Sequence, residues 1–314
     1  MSVKFFDPGE LKRYSIHTRR HLVTKGQFGR TDFEHNSLCG FLDSLPDILA
    51  ARDLRAVAAS VVAARRAGHL VHMAMGAHVI KVGMSPIIID LMERGIVTGI
   101  SFNGAALVHD IEIALIGATS EDVTVSISDG SFGFAVETAQ TYHRAAALAA
   151  EETRGLGEAA GDLLERTQAP FRHLSVFASA ARLGIPATIH CAFGTDIVHM
   201  HPEMDPAVLG VATHLDMLRL AALIGGLGGG VWFNIGSAVI MPEVFLKTLS
   251  MARNVGSVGD FTAVNMDMQR HYRPSENVLR RPGGRAYNLT GHHEIMLPLL
   301  RAAILCEMDR SPND

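Results

Sequence analysis

The chain has 314 residues, 48% of them apolar and 19% charged, enough to bury a large core without staples and too apolar for a disordered polypeptide. Lys and Arg number 28 against 32 Asp and Glu, a net charge of −4 with a pI near 6.5, so no basic field marks a nucleic-acid partner and a small soluble substrate is expected. No apolar run approaches the roughly 18 to 20 residues of a bilayer span, and no signal-peptide pattern opens the sequence, so no membrane partner and a cytoplasmic location are expected.

Residues 1–45 mix Phe5 and Phe6 with Lys12, Arg13, Arg19, Arg20, Lys25 and Arg30, without a helical or alternating period, and read as an arm that packs on its own body or on a neighbouring subunit. From Asp53 the text is Ala-rich and helical to Arg66, Gly68 ends that helix, and 69–75 reads as a short buried strand. Ser85 and Pro86 open a helix to Glu93, 98–102 forms the next strand, and Asn103-Gly104 starts a helix through Leu115. Strand, Gly-containing turn and helix in this order predict a parallel α/β sheet with ligands at the carboxyl ends of its strands. Residues 120–168 read as a helical insertion. The alternation resumes with a helix over 174–183, a strand over 187–193, a helix over 206–223, a strand over 231–234, a helix over 242–253, a strand over 261–268 and a last helix over 293–307.

Phosphate-loop, zinc-helix and nucleophile-elbow motifs are absent. Gly155-x-Gly157-x-x-Ala160 fits a dinucleotide fingerprint only on paper, because no strand precedes it. Gly228, Gly229 and Gly230 let backbone N–H groups approach a phosphate or a ring, or else permit tight helix-to-strand packing. Histidines gather near predicted strand ends. If 199–201 is extended, His199 and His201 point to one side, and with His190 or Asp196 they suit a divalent metal; hydrogen bonding to a polar ligand explains the same text. Asp267, His271, Tyr272, Arg273, Arg280 and Arg281, then His292, His293 and Glu294, read as a loop over a site, its arginines forming forks for an anion. Cys39, Cys191 and Cys306 are spaced for neither a disulfide framework nor a metal clip.

From about residue 70 to 303 the chain resembles the deoxyhypusine synthase family, in a divergent bacterial branch. The resemblance rests on Gly76-Ala77-His78-Val79-Ile80-Lys81-Val82-Gly83, Asn103-Gly104-Ala105-Ala106 with Asp110, and Gly194-Thr195-Asp196. It continues through Leu227-Gly228-Gly229-Gly230-Val231, Val264-Asn265-Met266-Asp267 and Leu297-Pro298-Leu299-Leu300. It implies a Rossmann-like parallel sheet flanked by helices, NAD held across strand ends, and a homotetramer with sites between subunits. Such enzymes oxidise spermidine and pass an aminobutyl group through a lysine imine to a protein lysine. The corresponding stretch, residues 276–285, contains no Lys, and an arginine cannot form that imine because its guanidinium stays protonated. His292 stands where relatives place an Asp near the ribose; Lys81 and Lys247 are the remaining substitutes.

The expectation is therefore an arm (1–45) and one deoxyhypusine-synthase-like α/β domain (46–314). Its transferase-like enzyme chemistry on a small polar metabolite, an amine for example, proceeds without the lysine imine. Gly76, Asn103, Gly104, Asp110, Asp196, Gly228, Gly229, Gly230 and Asp267 are the candidates to hold NAD or a related nucleotide. His199, His201, His271, His293, Arg280 and Arg281 are the candidate catalytic groups, and Tyr272, Arg273 and Glu294 the substrate contacts. Two alternatives stand beside this reading: metal-assisted hydrolysis or lyase chemistry on His190, His199 and His201, and a non-catalytic ligand-binding protein.

Overall fold

The computed structural model describes residues 4–310. After three single turns of 3-10 helix within residues 8–27 come α1 (Leu38–Ser44) and α2 (Leu49–Arg66), then β1 (Val71–Met75), α3 (His78–Lys81), α4 (Ser85–Glu93), β2 (Gly99–Asn103) and α5 (Gly104–Ile116). The segment read as a helical insertion holds α6 (Val123–Ser126), α7 (Val136–Glu151) and α8 (Leu156–Arg166), followed by α9 (Val176–Leu183) and β3 (Ala187–His190). The chain closes with α10 (Pro206–Gly225), β4 (Val231–Ile235), α11 (Ile240–Val255), β5 (Thr262–Asp267), a π-helical turn (Pro274–Arg280), β6 (Arg285–Thr290) and α12 (His293–Asp309). All six strands are parallel in the order β3-β2-β1-β4-β5-β6, a Rossmann-like sheet. Strand order reverses between β1 and β4, which makes their carboxyl ends the topological switch point.

The two faces of the sheet differ in chemistry. On one, Met73, Met75, Ile100, Phe102, Ile189, Phe233, Val264 and Met266 are fully buried in the large core. On the other, covered by α10 and α11, Trp232 stacks between His72 and Phe245. That second face also carries two polar chains running across the strands. His72 Nε2 meets Ser101 Oγ at 2.7 Å, Ser101 Oγ meets Thr188 Oγ1 at 2.6 Å, and Thr188 meets His190 Nε2 at 3.0 Å. Beyond the switch point, Asn234 Nδ2 donates to Asn265 Oδ1 and Asn265 Nδ2 to Asn288 Oδ1, in register across β4, β5 and β6. Burial pushes both His72 and His190 down to about 3, so they sit in this network as neutral rings. Such a network stabilises a sheet only when its members are paired, and it fixes strand register as it does so.

Side chains of α10 close the outer edge of β3. Thr213 accepts from Cys191 N–H and Asp216 from Ile189 N–H, so this edge strand leaves no open ladder there. By length and composition α10 is apolar enough to span a bilayer, but its wholly buried Asp216 is tied to β3 and α8 as part of the sheet's cover.

Four departures from the sequence reading have physical causes. The strand read as 187–193 stops at His190, because Cys191 turns away on Thr213. The stretch read as a loop over a site is the π-helical turn packed on α11, followed by β6, whose Arg285-Ala286-Tyr287-Asn288 is largely exposed at the sheet's edge and lacks an apolar run. Residues 199–201 are not extended: Ile197–Met200 is a 3-10 turn, so His199 and His201 diverge. Finally, Cys39 and Cys306, although 267 residues apart, form a disulfide joining α1 to α12. Disulfides persist in oxidising compartments, which sets this link apart from the cytoplasmic reading. In the arm, Phe5, Phe6, Tyr14 and Leu22 are exposed to 70% or more; its first three residues lie outside those described.

Candidate functional site

The carboxyl rim is built where strand ends meet helix starts. Asn103 is the last residue of β2 and the N-cap of α5, and Gly104 begins that helix. A Cβ at 104 would lie 2.0 Å from Asp196 Oδ2 and 3.1 Å from the Tyr142 hydroxyl, so glycine is what lets the Asp196 carboxyl rest on the start of α5. There it lies by the backbone N–H of Ala105, while Thr195 Oγ1, which donates to the Ala192 carbonyl at 2.7 Å, stands 3.4 Å from Asp196 Oδ1. A helix N-terminus favours a negative charge. Burial outweighs this and pushes Asp196 up to about 6.

His199 stands beside it. The N–H groups of Gly194 (3.1 Å) and Asp196 (3.4 Å) both donate to His199 Nδ1, so the ring proton sits on Nε2. That nitrogen is 3.9 Å from Asp196 Oδ2, too far for a hydrogen bond, and both atoms are buried without partners. A donor and an acceptor so placed match a group that accepts and donates at once, such as a hydroxyl or a neutral amine. Burial and the nearby His143 lower the His199 pKa, which keeps the ring neutral at pH 7.

At the switch point a Cβ on Gly76 would fall 2.0 Å from the Gly236 carbonyl, and one on Gly236 would fall 2.7 Å from the His293 ring. Glycines at both positions therefore bring the two turns and His293 together. His293 begins α12, is 1% exposed, and has neither ring nitrogen paired; His78 lies edge-on at 5.5 Å. Burial lowers its pKa, opposed by the charge of Asp267, which is itself buried at the end of β5.

Gly76, Asn103, Gly104, Asp196, His199, Asp267 and His293 thus share one rim. Other expected site residues do not reach it. Gly228, Gly229 and Gly230 precede β4 and lie at the amino edge, away from this rim, where a Cβ on Gly230 would strike the Leu70 carbonyl at 2.3 Å and where Gly229 and Gly230 line a separate cavity of about 360 Å³ with Asp260 and Arg285. Asp110, fully buried within α5, accepts from Ser175 Oγ and from the N–H groups of Val176 and Phe177, which caps α9. His201 Nε2 is bonded to the Gly133 carbonyl, and His190 belongs to the sheet network. No group of three or more His, Cys, Asp or Glu able to hold a metal occurs among the described residues, and His190, His199 and His201 have separate partners rather than forming one ligand set.

The expected anion clamp is also dismantled. Arg280 pairs with Glu276, Arg281 donates to Asn277 Oδ1 at 2.6 Å, and Arg273 donates to Glu243 at 3.2 Å. Tyr272 and Glu294 are exposed, and the His271 carbonyl accepts from Ser275 within the π-helical turn. Lys247 pairs with Glu243 on α11. In the paper fingerprint, Gly155 and Gly157 allow close approach to the Asp216 carboxyl and the Ala187 carbonyl, so that match is helix packing.

The rim opens into a feature the sequence reading missed. A cavity of about 200 Å³ runs along α5, lined by Ala105, Val108, His109 and Glu112, a single helical face, with Lys81 and Asp196 at its walls. Behind its wall His109 Nδ1 lies 2.7 Å from Thr119 Oγ1, and Thr119 Oγ1 donates to Glu112 Oε2 at 2.5 Å. Their spacing, His109 and Glu112 three residues apart on a helix with Thr119 just beyond its end, was the available signal.

No family profile and no curated protein matches this sequence. Solved structures do. The arginine dihydrolase ArgZ of the cyanobacterial ornithine-ammonia cycle aligns over 82% of this chain at 18% identity with a TM-score of 0.50. AgrE, solved in a ternary complex with ornithine and NAD+, aligns over 81% at 17% identity with a TM-score of 0.52. The chain spans about a third of the length of each, 33% in both cases. A protein of Entamoeba histolytica described as a deoxyhypusine synthase aligns over 89% of this chain and 97% of its own at 12% identity, TM-score 0.52. At these identities the comparisons establish a shared Rossmann-like fold.

Proposed function

We propose that this chain is an enzyme that holds NAD or a related nucleotide along the carboxyl rim and acts on a small, polar, amine-like metabolite without a lysine imine. One observation carries the reading. Of the twelve buried side-chain N and O atoms without partners among the described residues, five lie on this rim: Asn103 Oδ1, Asp196 Oδ2, His199 Nε2 and both ring nitrogens of His293. Buried polar groups are nearly always paired, and unpaired ones gathered at a strand-end crevice are the mark of a ligand site.

The residues present fit a nucleotide. Asn103 Oδ1, at the end of the second strand, is an acceptor where a ribose hydroxyl is bound in this type of sheet, and His293 offers a ring nitrogen over the switch point. When bound, NAD supplies a hydride acceptor. The chain's own part is to orient and to move protons: Asp196 accepts from the metabolite while His199 Nε2–H donates to it. The structures with NAD+, ornithine and arginine among the similar folds support this choice of ligands. The exposed Phe5, Phe6, Tyr14 and Leu22 of the arm support association of copies as a homo-oligomer, with a homotetramer the form proposed.

Mass spectrometry of small molecules released from the native protein, followed by calorimetric titration with NAD, tests the reading. NAD binding that weakens at least tenfold in Asn103→Ala is the expected result. A protein that carries and binds no nucleotide overturns it and favours a non-catalytic binding protein.

A further inference from the structure

Two residues that line the cavity along α5, His109 and Glu112, belong to a hydrogen-bonded series that assigns a proton. Thr119 Oγ1 stands 2.5 Å from the Glu112 carboxylate, a distance at which the single threonine proton lies between the two oxygens. Thr119 then has only lone pairs for His109, so the 2.7 Å contact must carry the imidazole proton on Nδ1. His109 Nε2 is left as an acceptor, with no hydrogen-bond partner among the described residues, in a ring that lines the cavity. Glu112 is held from its other side by Thr138 Oγ1 at 3.3 Å, which fixes the series to α7. Burial, with Lys81 and His78 nearby, lowers the His109 pKa and outweighs the opposing charge of Glu112, so the ring is an unprotonated base at pH 7.

The remaining charges of the cavity point to a ligand. Lys81, an exposed residue, lines it, and its Nζ has no ion-pair or hydrogen-bond partner among the described residues; the Glu121 carboxylate lines it too and accepts from the Gly133 N–H at 2.8 Å. Asp196 lines it as well, with a side chain 3% exposed and one oxygen unpartnered. At about 200 Å³ the space is below the roughly 300–1,000 Å³ of drug-sized sites, so the ligand is small.

We propose that this cavity binds a small amino acid, its carboxylate on Lys81 and its ammonium against Asp196, and that His109, aimed by Thr119 and Glu112, accepts a hydrogen bond from that ammonium at Nε2. Thr119 acts through His109 and is a positioning residue. This deepens the proposed function, since it rests on the carboxyl rim being a ligand site.

Two measurements on the full chain test it. Nitrogen-15 NMR of the free protein at pH 7.5 is expected to show His109 with its proton on Nδ1, and Thr119→Val is expected to lose that preference; a His109 proton on Nε2 in the wild type overturns the assignment. Calorimetric titration with the standard amino acids and L-ornithine, using putrescine and propionate as controls that each lack one group, reads the ligand class. An amino acid that binds at least tenfold more tightly than both controls, weakened at least tenfold by Lys81→Met, is expected. Equal binding of putrescine, or binding unchanged in Lys81→Met, overturns the proposal. Titration of the same proteins with NAD separates the two readings: amino-acid binding without NAD binding sinks only the nucleotide, and the reverse sinks only the amino acid.

Discussion

Replacing Asp196 by Asn should make the protein more stable at pH 8 while weakening its site. In the folded chain burial lifts this carboxyl from 3.8 to about 6. The sign follows from linkage: with a folded value above the unfolded one, the stability contributed by this group is complete below about pH 4 and is lost as pH rises through about 6. At 1.36 kcal/mol per pH unit the difference amounts to about 3 kcal/mol at pH 8. Asparagine does not titrate, so Asp196→Asn removes that loss. Its amide faces the His199 Nε2–H with donors of its own, which offsets about 1 kcal/mol, and a net gain of about 2 kcal/mol remains. Urea denaturation of both proteins at pH 3.5 and pH 8 reads the effect. The variant should have the higher midpoint at pH 8, with the gap shrinking or reversing at pH 3.5. A variant that is less stable at pH 8, or equally displaced at both values, refutes the placement of an ionised carboxyl in a buried site. In the wild type, a ligand that donates to Asp196 should bind roughly tenfold more weakly at pH 5 than at pH 7, the ratio set by titration near 6.

Asp216→Ala strands the N–H groups of Gly157 and Ile189, which now donate to it at 3.0 and 2.8 Å, and should cost about 2–5 kcal/mol in urea unfolding; a loss under about 0.5 kcal/mol contradicts its role in closing the β3 edge. Reducing agent should lower the unfolding midpoint of the wild type and leave Cys39→Ser with Cys306→Ser unmoved, because the Cys39–Cys306 link closes a loop of 267 residues, worth up to about 5 kcal/mol by chain entropy. Arg280→Ala with Arg281→Ala should leave ligand affinity unchanged in calorimetry, since Arg280 pairs with Glu276 and Arg281 bonds Asn277; a tenfold loss would return these arginines to the site.

The regular part of the fold was legible because its signals are local. Five strands are short apolar runs bounded by Gly, Asn or Pro, and each crossover helix carries its stop signal, as Gly184 does in its left-handed conformation after α9. What was not legible depends on neighbours. β6 is an edge strand whose exposed Arg285 and Ala286 do not alternate with buried residues, so no period marks it. The disulfide needs α1 to lie on α12, a fact about packing that no spacing of cysteines contains. The Gly228–Gly230 cluster was identified as a close-approach element, but whether it serves a ligand depends on which end of β4 it stands at, and it stands at the start.

The same distinction sorts the aspartates. Asp110, Asp196 and Asp216 are all buried, and each sets its carboxyl on the N-terminus of a helix other than its own: α9, α5 and α8 respectively. In sequence they are interchangeable, three acidic residues in or beside helical text. Asp110 is satisfied by three donors and joins α5 to α9. Asp216 has an unpartnered oxygen, but burial pushes it up to about 8, where a protonated carboxyl needs no counter-charge, and Gly155 packs directly over it. Asp196 combines an unpartnered oxygen, a value near 6 that leaves it mostly ionised at pH 7, an adjacent histidine with its proton on Nε2, and a cavity wall. A helix dipole and burial act on all three carboxyls. Of the three, Asp196 is the charged acceptor that lines a cavity, and for that reason the proposed site lies at the end of β2 rather than at the glycine cluster or the arginine turn.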